Sequence, residues 1–321
     1  TIPMYWWTNM AVPETPGTRV LAPAETAVAN MPPNRLDVVD VASDETAATY
    51  ARCAQRAREY FFRIPEGVRP WVAAIQPNGK GFVQMSTARL RGRKVFYWGM
   101  HGGGRRWQEF LSGPGHAYLE IQAGLARTQL ESVPMPGGKE WSWTEAFGAI
   151  ECDCAVTDAR AMEWSKVWPV IGRELDKRLP REKLELLESR CAEAAVRPPL
   201  EILCHGSGWG ALERRRLARQ RQADGIPAEF VFNRSPMGVE QAPWVELLEG
   251  GFMAEPPPEA VPLSWMVQRG WRDLLENAIK RGKGDHWYSW LHLGNMRCEE
   301  FDLDGARQAW ETSLARRPYS W

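Results

Sequence analysis

From Tyr5 to about residue 150, apolar and polar positions alternate in short runs closed by Pro, Gly or Asn. A period of two predicts strands, because successive side chains of an extended chain face opposite sides. The clearest runs are 71–76, 81–87, 94–98, 118–122 and 141–147. Asn78-Gly79 lies between the first two and predicts a hairpin, with a loop longer than two residues if Lys80 joins it. Segment 42–58 breaks the alternation with Ala, Arg and Glu and reads as a helix or an excursion; 105–111 reads as a short helical turn. Past residue 155 the apolar spacing lengthens to three and four. It predicts helices from a cap at Thr157 or Asp158 through Leu175, then over 181–194, 209–221, 240–249, 263–280, 286–299 and 303–316. Gly225, Gly250 and the prolines at 256–258 mark breaks. Strands followed by helices imply an α+β chain of segregated parts rather than βαβ units. The expected division is an antiparallel β-sandwich over 1–155, a helical packing region over 156–255 and a helical-repeat pair over 256–321.

The last stretch carries a more specific pattern. Trp290, Leu293, Gly294, Ala306, Trp310 and Pro318 fall on the W-x₂-L-G…A-x₃-F…P spacing of a tetratricopeptide repeat, whose period is about 34 residues. Small residues at Gly294 and Ala306 let two antiparallel helices approach, and Pro318 ends the second one. Arg297 stands where the pattern has Tyr, and Trp310 where it has Phe. One repeat does not bury its own apolar face. A chain that opens almost at once on Tyr5-Trp6-Trp7 and stops just past Pro318 therefore reads as a piece of a longer protein, or as one whose neighbouring helices are divergent repeats.

Composition excludes more than it assigns. The formal net charge is +0. Residues 1–150 hold 16 Lys+Arg against 13 Asp+Glu, and the remainder 24 against 27. Neither half favours nucleic acid or an anionic membrane as partner. No apolar run approaches the ~20 residues of a membrane span, and no secretory signal is visible. Six cysteines in a chain of this length are not a disulfide framework. Cys152, Cys154 and Cys204 with His205 match no zinc spacing, so buried free thiols in a reducing cytoplasm are expected, with no metal and no cofactor. The 17 tryptophans divide seven to ten between 1–150 and the rest, so their number alone does not mark a sugar site.

Two predicted strands carry the candidate chemistry. In 118–122, Tyr118, Glu120 and Gln122 share one face. In 141–147, Trp141, Trp143 and Glu145 are expected to share another. Aromatic faces stack on sugar C–H surfaces, amides and carboxylates bind hydroxyls, and a desolvated Glu gains acid/base capacity. Two such carboxylates suit glycoside hydrolysis; one Glu with a His (His101 or His116) suits ring opening of a hemiacetal. The competing reading is structural, with both glutamates tied to Arg127 or to loop amides. His101-Gly102-Gly103-Gly104 is similar to the oxyanion loop of some esterases, but the G-x-S-x-G partner is missing. Those glycines are expected to form a tight loop, with Arg105 and Arg106 at its exit as ligands for a substrate carboxylate or sulfate, or as solvated charges. Gly206–Gly210 has neither the Walker nor the Rossmann pattern and leads into a helix, on which Arg214, Arg215 and Arg216 form a solvated face.

Tyr5 to Pro13, Gly92 to Gly99, Tyr118 to Thr128, Trp143-Thr144-Glu145 and Gly206 to Glu213 resemble stretches of a bacterial family of unknown function. That family joins a galactose-mutarotase-like β-supersandwich to tetratricopeptide repeats. The resemblance covers most of the chain. It implies a partial mutarotase-like sandwich that holds a ligand on the concave face of its larger sheet, and it transfers no catalytic residues. The leading expectation is carbohydrate binding or processing, hydrolytic or epimerase-like, on the sandwich. Glu120, Glu145, His101 and His116 are the acid/base candidates. Gln122, Trp141, Trp143, Tyr118, Arg105 and Arg106 are the saccharide-binding candidates. The helical repeats would form a partner-binding or self-associating arm. The alternative is a non-enzymatic scaffold that binds protein partners through those helices.

Overall fold

The computed structural model describes residues 2–31, 35–43, 48–227, 229–232 and 237–316, and Pro318 lies outside them. The chain divides into two compact units, Thr1–Ala195 and Val196–Trp321.

The first unit is built on antiparallel strands. They are β1 (Ile2–Met4), β2 (Trp7–Pro13), β3 (Arg19–Leu21), β4 (Thr26–Met31), β5 (Arg35–Asp40), β6 (Arg58–Phe62), β7 (Trp71–Ile75), β8 (Lys80–Ser86), β9 (Gly92–Tyr97), β10 (Tyr118–Gly124), β11 (Val133–Met135) and β12 (Glu145–Glu151). A six-stranded sheet runs β2-β10-β9-β6-β4-β5, a four-stranded sheet β12-β8-β7-β3, and β1 pairs with β11. Alternate residues of the larger sheet enter one shared core: Ala27 and Ala29, Tyr60 and Phe62, Val95 and Tyr97, Leu119 and Ile121. The smaller sheet meets them with Val20, Val72 and Ala74, so the two sheets form a sandwich. β7 is buried along its whole length. Its sheet is covered on both sides, because helix α2 (Trp164–Arg178) adds Trp164, Val167, Ile171 and Leu175 to the same core.

The Asn78-Gly79 signal closes the β7–β8 hairpin. Gln76 N–H donates to the Lys80 carbonyl at 2.8 Å and Gly79 N–H to the Gln76 carbonyl at 2.9 Å. The loop is thus Pro77-Asn78-Gly79, and Gly79 takes φ 79°, which only glycine adopts without strain.

Several elements differ from expectation. Among the described residues of the 42–58 excursion, Ala51–Cys53 form a 3-10 turn. Gly102 to Gly104 form the first turn of helix α1 (Gly102–Ser112), not a tight loop. A side chain at Gly104 would collide with the Trp98 and Gly99 carbonyl oxygens, so a glycine is what lets the helix sit on the strand end. The strand expected over 141–147 starts only at Glu145. Thr87 takes the backbone ahead of it: Thr87 N–H donates to the Thr144 carbonyl (3.0 Å) and Thr144 N–H to Thr87 Oγ1 (3.1 Å). α2 starts at Trp164 rather than at 158, because Asp158 is spent on a turn through Arg160, Ala161 and Met162. The expected division at 155 falls at 195, with α2 and α3 (Arg181–Ala195) inside the first unit. The cysteines are not buried: Cys53, Cys154, Cys191 and Cys204 are exposed, and Cys152 and Cys298 half-buried, all as free thiols.

The second unit comprises α4 (Gly208–Arg219), α5 (Ala242–Gly250), α6 (Arg269–Lys280), α7 (Trp287–Glu299) and α8 (Leu303–Arg316). Leu212, Trp244, Trp271, Leu275, Trp287, Leu293 and Met296 form its core. α7 and α8 make a tetratricopeptide-like pair in which the Trp310 indole lies directly on Gly294, with Ala306 and Ala309 buried beside it. Asp302 caps α8 through Gly305 N–H at 3.0 Å. Arg297, in the Tyr position, donates to the Gly305 carbonyl and to Glu276, both at 3.3 Å.

Candidate functional site

The outer face of the six-stranded sheet is the side opposite the core. In β10, Leu119 and Ile121 point inward, which leaves Tyr118, Glu120 and Gln122 on the outer face. The register continues this face across the sheet. Gln122 lies between Asn9 and Lys94, Lys94 opposite Phe61, Glu120 opposite Phe96, and Phe96 opposite Glu59, which is itself opposite Asn30.

These residues are hydrogen-bonded into a row across five strands. Glu120 accepts from Asn9 Nδ2 (2.7 Å) and Gln122 Nε2 (3.1 Å). Gln129 links Gln122 to Lys94, donating to the first and accepting from the second at 2.5 Å each. Lys94 pairs with Glu59 at 2.5 Å, and Asn30 donates to Glu59 at 2.6 Å. The Lys94 ammonium also lies over the Phe61 and Phe96 rings, 5.4 and 5.5 Å from their centroids. Lys94 is buried and balanced by Glu59, whereas Glu120 is held by amides and stays half-exposed.

An aromatic row adjoins the polar one. Phe96 meets Trp98 edge-on at 5.0 Å, and Trp98 meets Tyr118 at 6.2 Å. Trp107 of α1 stacks on Trp98 at 6.0 Å and 22°. α1 presents Trp107 and Phe110 to solvent, 53% and 78% exposed. Burial, followed by the Glu120 charge, raises the Tyr118 phenol above its usual pKa. Arg105 and Arg106 are exposed on α1, and Arg106 borders a shallow apolar cleft with Trp107 and Phe110. His101 precedes α1 and His116 precedes β10; both are exposed.

Glu145 is not part of this face. Thr8 and Asn9 are neighbours in β2, so their side chains leave opposite sides of the sheet. Asn9 reaches Glu120, while Thr8 Oγ1 donates to Glu145 at 2.6 Å. Gln84, itself fully buried, donates to the same Glu145 oxygen at 3.0 Å. Glu145 thus belongs to the sandwich interior, where its charge supports that of fully buried Arg93 against the effect of burial. Arg93 donates to the Leu90, Gly92 and Pro70 carbonyls and to Ser86 Oγ. Trp141 and Trp143 do not share a strand face with Glu145. They pack on a satellite core of Leu90, Ala123 and Leu125, with Trp143 against Trp6 at 5.6 Å and Arg89 over Trp141 at 5.0 Å. Arg127 meets neither glutamate of the expected site; it faces Glu66 at 4.0 Å.

The structure therefore joins Tyr118, Glu120 and Gln122, with α1 and its arginines beside them, and separates Glu145, Trp141 and Trp143. Sequence reasoning missed Asn9, Lys94, Glu59, Asn30, Phe96, Trp98 and Trp107. The alternation in Lys94-Val95-Phe96-Tyr97-Trp98 carried a usable signal, since it sets a Lys and two aromatics on the face away from Val95 and Tyr97. Among the described residues no group of His, Cys, Asp and Glu gathers as for a metal ion, and no helix is long and apolar enough to cross a membrane.

No family profile matches the chain, and no curated protein does. A solved structure similar to it is a TPR-domain containing protein from Parabacteroides distasonis ATCC 8503, with 16% identity and a TM-score of 0.49. The match covers 100% of this chain and 50% of that one, so the chain spans about half that protein's length.

Proposed function

We propose that the outer face of the six-stranded sheet binds a saccharide, with Glu120 as hydroxyl ligand, buried Gln122 positioning its carboxylate, and Trp98, Tyr118 and Trp107 as stacking surfaces. The observation that carries this reading is the half-exposed Glu120 carboxylate, held by amides beside a tilted aromatic row. Such an arrangement suits hydroxyls on one side and sugar C–H surface on the other. The family resemblance of the sequence, which implies a ligand on the concave face of the larger sheet, points to the same sheet. Recognition is favoured over hydrolysis by paired carboxylates. That mechanism needs two carboxyls roughly 5–10 Å apart across one bond, and Glu145 faces the interior, where Thr8 and Gln84 occupy it.

A glycan array followed by calorimetry on the wild type, Glu120→Gln and Trp98→Ala tests this. Saccharide binding that weakens at least tenfold in both variants supports the reading. Absence of any bound glycan, or equal affinity in all three proteins, refutes it.

A second reading has its own support. Phe301, Leu303 and Leu314 of the tetratricopeptide-like pair are 88%, 62% and 59% exposed. Large apolar side chains on a helical-repeat surface suit packing against a protein partner or a second copy.

A further inference from the structure

Three connections of the first unit meet at one end of the sandwich: β6–β7, β8–β9 and β10–β11. Together with the start of α3 they line two adjoining open clefts of about 240 and 470 Å³, which share Ala88, Arg91 and Arg127. Their walls carry five arginines and two glutamates. In a chain of zero net charge that is a strong local surplus, and a cleft concentrates its field.

The arginines are not equivalent. Arg181 is anchored, donating to the Gly67 carbonyl (3.0 Å) and pairing with Glu185 (3.4 Å). Arg91 and Arg127 instead converge on the exposed carboxylate of Glu66, at 2.8 and 4.0 Å. The Arg91 hydrogen bond, then the two positive charges, hold that carboxyl below the usual range. Glu66 thus marks where an oxyanion sits between two guanidinium forks. Arg63 and Arg89 are exposed at the rims of the same space, and Arg89 is aligned over Trp141.

We propose that this arginine-lined groove is a binding site for an oxyanion-bearing ligand, held between Arg91 and Arg127 with Glu66 as the built-in competitor. The site is separate from the sheet face and does not depend on the saccharide reading. Phosphate or sulfate esters and carboxylates share the recognised chemistry.

Calorimetric titration with inorganic phosphate, sulfate and acetate at low ionic strength provides the test. Millimolar or tighter binding that weakens with added salt is expected for at least one anion. Phosphate and sulfate without acetate would assign an ester ligand, and the reverse a carboxylate. Arg91→Gln with Arg127→Gln should weaken binding at least tenfold, whereas Arg160→Gln, an exposed arginine elsewhere, should not. Glu66→Gln should strengthen binding at least threefold, because it removes the competing charge; a loss of folding alone has the opposite sign. All three substitutions in the groove are at exposed side chains, and melting curves verify their folding. No binding of any of the three anions, or unchanged affinity in both the double variant and Glu66→Gln, overturns the proposal.

Discussion

Glu120 and Glu145 have the same side chain and different surroundings, and the difference comes from which side of a sheet each neighbouring β2 residue leaves. Glu120 is half-exposed and accepts from the amides of exposed Asn9 and buried Gln122. Glu145 is the acceptor for half-buried Thr8 and for fully buried Gln84, whose amide loses its acceptor if the carboxylate is removed. Glu145→Ala should therefore destabilise the first unit by about 1–3 kcal/mol, the cost of stranding buried donors. Glu120→Ala should cost less, about 0.5–1 kcal/mol, because Asn9 is exposed and turns to water, and buried Gln122 keeps its bond from Gln129. Urea unfolding of both variants checks this, and equal losses would put the two carboxylates in equivalent surroundings. The sequence offered no means of separating them. A period of two tells which residues share a face of one strand, but not which face is inward, and β2 meets β10 only after more than a hundred intervening residues.

Elements whose pattern is local were legible; those shaped by tertiary contacts were not. Apart from α6, which starts at Arg269 and not at 263, the helices from 181 onward lie close to where the apolar spacing puts them, because an amphipathic stripe and its caps are properties of neighbouring residues. Trp141-Ser142-Trp143-Thr144 alternates like a strand yet is not one: Thr87, Trp6 and Arg89 claim it from far along the chain. The same contrast shows in glycines. Gly102 and Gly103 resemble a loop signal, but only Gly104 is required by its surroundings, and it is inside a helix. Gly294 allows a direct test of element packing. Alanine normally favours a helix over glycine by about 1 kcal/mol. At Gly294 an added methyl would run into the Trp310 indole, so Gly294→Ala should destabilise the second unit by about 1–3 kcal/mol. In a Trp310→Ala background the same substitution should become neutral or stabilising. Chemical unfolding of the four proteins reads this double-mutant cycle; a loss of the same size in both backgrounds would mean that the ring is not what requires the glycine.

At the scale of the molecule, the two units differ in what acid does to them. His292 of α7 is fully buried between Trp244 of α5, at 5.1 Å, and Tyr288, at 4.4 Å. Neither ring nitrogen has a hydrogen-bond partner among the described residues. Burial alone lowers its pKa from 6.5 to about 4. In the unfolded chain the group takes up a proton near pH 6.5, while the folded unit resists it until about pH 4. Stability is then complete above the unfolded value and falls as pH drops across that window, by roughly 3 kcal/mol at most. In the first unit, buried Glu14 acts with the opposite sign: burial raises its carboxyl pKa, with Arg52 opposing, so protonation favours the folded form. Hydrogen exchange read separately for each unit, and corrected for intrinsic rates, should show α5 and α7 losing protection between pH 7 and pH 4.5 while β9 and β10 hold theirs. His292→Leu should remove most of that loss. If the variant loses protection as steeply as the wild type, the acid response belongs to another group, and the unpartnered imidazole is merely tolerated among its aromatic neighbours.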